Sequence, residues 1–202
     1  MVSFPGALDT FSNPSSSTQL SAAGTPHATQ HTDANDAIEA LEAKVGITAS
    51  TPVASTALTG TGTGTSEWKT PVGTELAYGE ITANVTTTAT TSATATLIVS
   101  SGAVTYDGTA VWVEFFSPAV GRGTTFIGLV LYDGAAELGR FGFAYGATDT
   151  EQPFLARRKL TPSAGSHTYQ VNAYVDAGTG TVTANTGALG QRMPAYCRVV
   201  KG

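Results

Sequence analysis

Apolar and polar side chains alternate at every second position through most of the chain from residue 67 to residue 200. A period of two is typical of a β-strand with one face in a core. Glycine, aspartate and proline residues that favour turns separate the alternating stretches. The clearest stretches are 111–115, 126–132, 141–145 and 168–175. The pattern predicts about eight to ten short strands and a mainly β fold, with an antiparallel β-sandwich (jelly roll) over residues 67–202.

Two of the predicted strands, 110–116 and 125–132, are apolar on both faces. In a lone sandwich, one face of an antiparallel sheet meets water and carries polar residues. A strand without a polar face therefore lies between layers of its own domain, or a neighbouring subunit covers its outer face. The second alternative suits a threefold assembly in which the sheets pack around an axis.

A different period marks the stretch 32–46, which predicts one short helix. Thr32 or Asp33 would cap its start, and Gly46 would end it. Its apolar residues follow a four, three, four spacing, the seam of a coiled coil: Ala34, Ile38, Leu41 and Val45. The helix either packs on its own β-domain or forms a short coiled coil between identical chains. The narrow stripe and the polar flanks favour the coiled coil.

The remaining segments carry little that could form a core. Residues 1–31 contain a single charged side chain, Asp9, and are rich in Ser, Thr, Pro and Gly. Such a segment is predicted to be an extended arm that is ordered only where it lies on another surface. Residues 47–66, with alternating Thr and Gly at 59–65, are predicted to be a linker. The Thr-Gly run lacks the following Lys and helix of a phosphate-binding loop.

Composition and charge limit the classes of partner and the cellular compartment that we expect for this protein. The formal net charge is −5, and the one basic run, at 157–159, is too short to track phosphates, so no nucleic-acid partner is predicted. No apolar run reaches the length of about 20 residues that spans a bilayer, and the first residues do not resemble a signal peptide. We expect synthesis in a cytoplasm and no membrane partner. Cys197 is the single cysteine and is predicted to be a buried structural thiol.

Histidines offer little catalytic or metal chemistry. His27 and His31 have the i, i+4 spacing of metal ligands, with Asp33 nearby, but nothing before the predicted helix would fix their geometry. His167 follows a turn, and no Gly-x-Ser-x-Gly elbow for a catalytic serine occurs in the sequence. The sequence therefore predicts no metal site, no cofactor and no catalytic residue.

Carboxylates could in principle cleave sugars in pairs, if a cleft held two of them at a defined separation. The candidates are Glu80, Asp107, Glu114 and Asp133. Glu114 stands among apolar residues, and a simpler role for it is an ion pair with an arginine such as Arg140 or Arg198. The sequence does not show such a cleft, so a polysaccharide depolymerase is only a distant alternative.

Several stretches resemble proteins of tailed bacteriophages. Residues 27–46 resemble a segment that joins an anchor to a distal domain in phage fibre and virion-surface proteins. Three C-terminal stretches are similar to the trimeric tumour-necrosis-factor-like jelly rolls of phage structural proteins. The four stretches read HATQHTDANDAIEALEAKVG (27–46), VEFFSP (113–118), LTPSAGSHTY (160–169) and PAYCRV (194–199). The resemblance implies a homotrimer that is attached through its N-terminus and displays the jelly roll outward.

The resemblance and the residue patterns lead to one leading hypothesis. The chain is expected to be a non-enzymatic, homotrimeric capsid decoration or head-fibre protein on the virion surface, made in the cytoplasm of a host bacterium. Residues 1–31 would bind virion shell or tail proteins. The alternative is a tail-fibre or baseplate receptor-binding protein, with host surface glycans as partners and exposed aromatic residues such as Trp112 or Tyr174 at the site.

Overall fold

The structure is a computed structural model of the 202-residue chain. It describes residues 27–45, 54–60, 62, 66–121, 124–145 and 152–202. The chain divides into two units, Met1–Pro71 and Val72–Gly202. The first unit contains helix α1 (His27–Val45) and the strands β1 (Ala57–Gly60) and β2 (Ser66–Lys69). The two strands form an antiparallel hairpin, and α1 contacts β2.

Helix α1 is longer at its start than the sequence predicted. It begins at His27, so Thr32 and Asp33 lie inside it and neither is its cap; this prediction was wrong. The extension has a local reason, since Ala28 and Gln30 are good helix formers and no proline separates them from Thr32. The predicted stop, Gly46, lies outside the described residues, as do residues 1–26 of the predicted arm.

The predicted linker also contains structure. Strand β1 lies within residues 47–66 and pairs with β2 from Ala57 opposite Lys69 to Gly60 opposite Ser66. All four β1 residues are exposed, so the strand has no buried face that a period of two could mark. Residues 67–69, which were expected to belong to the sandwich, lie in strand β2 of this hairpin instead.

The second unit is an antiparallel β-sandwich, which confirms the predicted fold class. One sheet has four strands: β5 (Thr96–Asp107), β7 (Phe126–Asp133), β8 (Ala136–Tyr145) and β10 (Ala164–Val175). They lie in the order β5-β10-β7-β8. The other sheet has six strands: β3 (Glu75–Ile81), β4 (Val85–Thr87), β6 (Val111–Gly121), β9 (Gln152–Leu160), β11 (Gly180–Thr183) and β12 (Ala195–Lys201). Its central strand is β6: β9 pairs with one side of β6, while β12 and β11 pair with successive parts of its other side. Strand β3 pairs with β12, and β4 pairs with β11.

The main core lies between the two sheets and takes every second side chain of their central strands. Its fully buried members include Val113, Phe115, Leu129, Leu131, Tyr169, Val171, Cys197 and Val199. The period of two found in the sequence therefore marks the true inward positions of β6, β7 and β10. Cys197 is a buried thiol, as predicted, and its burial raises the pKa of the thiol to about 12.

A second cluster covers the other face of the four-stranded sheet. Val130, Tyr132 and Tyr174 are buried there, under partly buried residues that include Ala89 and Ala95. The segment between β4 and β5 lies over this face: the Tyr132 hydroxyl donates to the Ser92 carbonyl at 2.5 Å. Strand 125–132 is therefore covered on both faces within one copy, and its apolar outer face needs no neighbouring subunit. Tyr174 is only 4% exposed, so the expectation that it is a surface aromatic was wrong.

Candidate functional surfaces

The outer face of the six-stranded sheet, directed away from the four-stranded sheet, carries three rows of side chains in register. Each row runs across β9, β6, β12 and β3. The first row is Leu155, Phe116, Tyr196 and Glu80; the second is Arg157, Glu114, Arg198 and Tyr78; the third is Lys159, Trp112, Val200 and Glu75. We call this set of twelve residues the outer face. Residues directly opposite on neighbouring strands interact, so each row is a line of contacts.

An ion-pair network fixes the middle of the outer face. The Glu114 carboxylate is bound on both sides: its Oε1 lies 3.0 Å from Nε of Arg157, and its Oε2 accepts from Nε of Arg198 at 2.5 Å. The two arginine side chains cover Glu114, which is only 8% exposed although it points away from the core. The expected ion pair with Arg198 is confirmed, whereas Arg140 lies over the rings of Phe143 and Tyr174 instead.

Cations also cover the aromatic residue of the third row. The Arg157 guanidinium lies 4.0 Å from the ring centroid of Trp112, and the Lys159 ammonium lies 5.8 Å from it. Such contacts are favourable because the ring face is electron-rich. Trp112, which the sequence suggested as an exposed binding residue, is therefore half-buried beneath two basic side chains.

A pocket of about 390 Å³ opens at the β3 side of the outer face. Tyr196 lines it, with the Phe116 ring 5.5 Å away and the Tyr78 ring 5.7 Å away between centroids. The Tyr78 hydroxyl donates to Oε2 of Glu80 at 2.7 Å. Partial burial and this neighbouring carboxylate raise the pKa of Tyr78 to about 12, so the phenol stays protonated. The other lining residues are Thr186, Gly187, Met193 and Pro194.

The two sides of the outer face differ in charge and shape. At the β9 side, Leu155 is 71% exposed and stands beside the basic Arg157 and Lys159. At the β3 side lie the acidic, exposed Glu75 and Glu80 and the open pocket. One side of the sheet is thus a protruding basic edge, and the opposite side is a concave acidic edge.

Helix α1 carries the second candidate surface, the apolar stripe predicted from the sequence. Ile38 is 44% exposed and Leu41 61% exposed, Ala34 is exposed, and Val45 is half-buried. The contact of α1 with β2 thus leaves the two largest side chains of the stripe in solvent. Solvent-exposed isoleucine and leucine at this spacing form a surface that a second helix can cover.

One group of polar residues has the order of a catalytic triad but a different hydrogen-bond pattern. Nδ1 of His167 lies 2.5 Å from Oδ2 of Asp133, and Nε2 lies 3.3 Å from Oγ of Ser163. Nε2 also lies 3.0 Å from the carbonyl oxygen of Ser163, which can only accept a hydrogen bond. Nε2 therefore carries a proton, and in this arrangement it cannot take one from the serine as a general base does.

The four carboxylates that could have formed a glycosidase pair each have other partners. Glu114 binds two arginines, and Glu80 accepts from Tyr78. Asp107 accepts from Lys201, and Asp133 from His167. The geometry thus assigns each carboxylate a place in a hydrogen-bond or ion-pair network.

Other site classes find no support in the described ranges. Within them, no three His, Cys, Asp or Glu side chains come together in a way that could hold a metal ion. No helix in the described residues is long and apolar enough to cross a bilayer. A scan against models of protein families found no match, and a search of curated proteins found none either.

Proposed function

We propose that this protein is a non-enzymatic structural component of a bacteriophage virion, a homotrimer that displays its β-sandwich as a capsid decoration or head fibre. The observation that carries the proposal is the exposed apolar stripe of α1, with Ile38 and Leu41 in solvent. Burying such a side chain stabilises an association by about 2 kcal/mol. Three chains that bury both residues would gain enough free energy to form a short coiled coil. A helix of this length needs such packing because it is only marginally stable alone in water.

The resemblance of residues 27–46 to phage fibre and virion-surface proteins supports the virion assignment, and residues 1–31 are the proposed attachment to shell or tail proteins. The alternative is a tail-fibre or baseplate receptor-binding protein. It is favoured by one feature, the pocket at Tyr78 and Tyr196, because aromatic rings can stack on sugar rings of a host glycan. Immunogold labelling of particles that carry the protein separates a position on the head from one on the tail.

Native mass spectrometry of the full chain tests the self-association on which the proposal depends. We expect a trimer, and we expect the double variant Ile38→Ser/Leu41→Ser to shift the distribution towards monomer. Ala40→Ser is the matched control, since it adds the same hydroxyl at an exposed helix position outside the stripe. A monomeric wild-type chain, or a double variant as trimeric as the control, contradicts the proposal.

A further inference from the structure

We propose that the outer face binds a second copy of the same chain head to tail, with the β9 edge of one β-domain seated in the pocket at the β3 edge of the next. Three such contacts would close a ring. The inference rests on the proposed trimer and deepens it, because it assigns residues of the β-sandwich to the contact and gives each subunit two different halves of the interface.

The charges of the two edges are complementary. Arg157 and Lys159 stand at the β9 edge, and Glu75 and Glu80 stand at the β3 edge of the same face. When the β9 edge of one copy meets the β3 edge of another, cations face anions. Contact between two β9 edges would instead place the same cations against each other, which is unfavourable. Charge therefore selects the head-to-tail arrangement over an edge-to-edge twofold contact.

The shapes of the two edges match as well. Leu155 projects from β9 with 71% of its surface in solvent, and the pocket at the other edge is lined by the apolar surfaces of Tyr78, Phe116, Met193 and Tyr196. Met193 is itself 60% exposed, so an incoming leucine would cover surface on both partners. A leucine side chain is smaller than the 390 Å³ pocket, which leaves room for its neighbours on β9.

The register of the sheet allows such contacts to close into a ring. Leu155 lies in the same row as Phe116, Tyr196 and Glu80, the residues at the pocket. The protruding side chain and the pocket are thus at the same level along the strands. A rotation about an axis parallel to the strands, without translation, brings one onto the other. Head-to-tail contacts without translation close into a ring when the rotation between neighbours divides a full turn, and the proposed trimer corresponds to a rotation of one third; a displacement along the axis would give open filaments.

Disulfide trapping in the full chain tests the contact directly. The double variant Leu155→Cys/Met193→Cys, treated with oxidised glutathione at low protein concentration, should give linked dimers and trimers and no larger species on a non-reducing denaturing gel. The native Cys197 can remain, because it is buried and its thiol is protonated. The matched control is Leu155→Cys/Glu137→Cys, which places the second thiol at an exposed position of the four-stranded sheet and should stay unlinked.

The outcomes separate this inference from the proposed function. A trimer by native mass spectrometry in which Leu155→Cys/Met193→Cys does not link refutes the head-to-tail contact and leaves the trimer standing. Linking that stops at dimers also refutes it, in favour of a twofold contact. A monomeric chain refutes both proposals.

Charge reversal gives an independent readout of which edges meet. In the Leu155→Cys/Met193→Cys variant, an added Lys159→Glu or an added Glu75→Lys should each slow disulfide formation several-fold. Either change places like charges on the two sides of the contact. The two reversals combined in one chain should restore the rate, since every interface then regains an opposite pair. A combined variant no faster than the single ones overturns the assignment of the two edges.

Discussion

The two sheets of the sandwich approach each other closely at Gly79 of β3, and replacing this glycine by alanine tests that packing. A Cβ at residue 79 would lie 1.8 Å from the carbonyl oxygen of Ser100 and 2.9 Å from its carbonyl carbon. A carbon and a carbonyl oxygen in ordinary contact are about 3.3 Å apart or more. The two backbones would therefore have to separate by about 1.5 Å.

The size of the effect follows from which atoms collide. Ser100 contributes backbone in the middle of β5, so no side-chain rotation can relieve the contact. Overpacking a core costs about 1–3 kcal/mol, and a clash between backbones belongs at the upper end of that range. We expect Gly79→Ala to lower the free energy of unfolding by about 3 kcal/mol, which corresponds to a fall in melting temperature of roughly 12 °C for a domain of this size.

Urea unfolding followed by tryptophan fluorescence measures the change, and Gly121→Ala is the control. Gly121 lies at the end of β6, and a Cβ there would meet its nearest neighbour at an ordinary 3.8 Å. This control should stay within about 0.5 kcal/mol of wild type, because alanine fits an extended strand at least as well as glycine. Equal stability of the two variants would show that the sheets do not meet at Gly79 as described.

Three further substitutions test polar networks. The hydrogen bond to Asp133 raises the pKa of His167 above its ordinary 6.5. The protonated histidine therefore stabilises the fold fully below pH 6.5, and this stabilisation is lost as pH rises through the folded-state pKa. His167→Gln should remove that part of the pH dependence of the melting temperature. Desolvation alone would raise the pKa of Asp176, but hydrogen bonds from Thr125 and Phe126 outweigh it and lower the pKa. Asp176→Asn should therefore lower the melting temperature at pH 7. The difference in melting temperature from wild type should narrow as the solution is acidified below pH 3.8. Glu114→Gln should lower the free energy of unfolding in urea by about 1–2 kcal/mol, because it removes a buried carboxylate that binds two arginines. The loss stays moderate because both arginines are half-exposed and water can solvate them.

The sequence predicts the strands whose inward positions are all apolar, and it does not reveal a strand that carries a charged residue at an inward position. Strands β6, β7 and β10 carry apolar residues at their inward positions and were found. Strand β9 contains the basic run 157–159, and Arg158 takes an inward position where the period of two expects an apolar residue. In the structure its guanidinium donates to the carbonyl of Leu138, so a local hydrogen bond replaces apolar packing. No sequence period records such a contact.

The outer face could not be assembled from the sequence because its rows join distant strands. The sequence indicates Glu114 and its partner Arg198, but the second partner, Arg157, becomes a neighbour only through the pairing of β6 with β9. The same holds for the pocket, whose residues come from β3, β6, β12 and the segment before β12. The paired residues of these strands are 32 to 90 positions apart in the chain, and the whole core sets their register. Hydrophobic alternation excludes a slip by one residue but not a slip by two.

The contrast between the two outward faces of the sandwich is the strongest physical reason to expect a partner at the six-stranded sheet. The chain covers the four-stranded sheet with its own segment between β4 and β5, and Val130 and Tyr174 are buried there. Among the described residues of this unit, no segment covers the other sheet in this way, although that sheet carries exposed apolar side chains and an aromatic pocket. The three rows contain three cations and three anions. A second copy could therefore cover this face without burying net charge, so that the cations and anions that lose water can pair with one another.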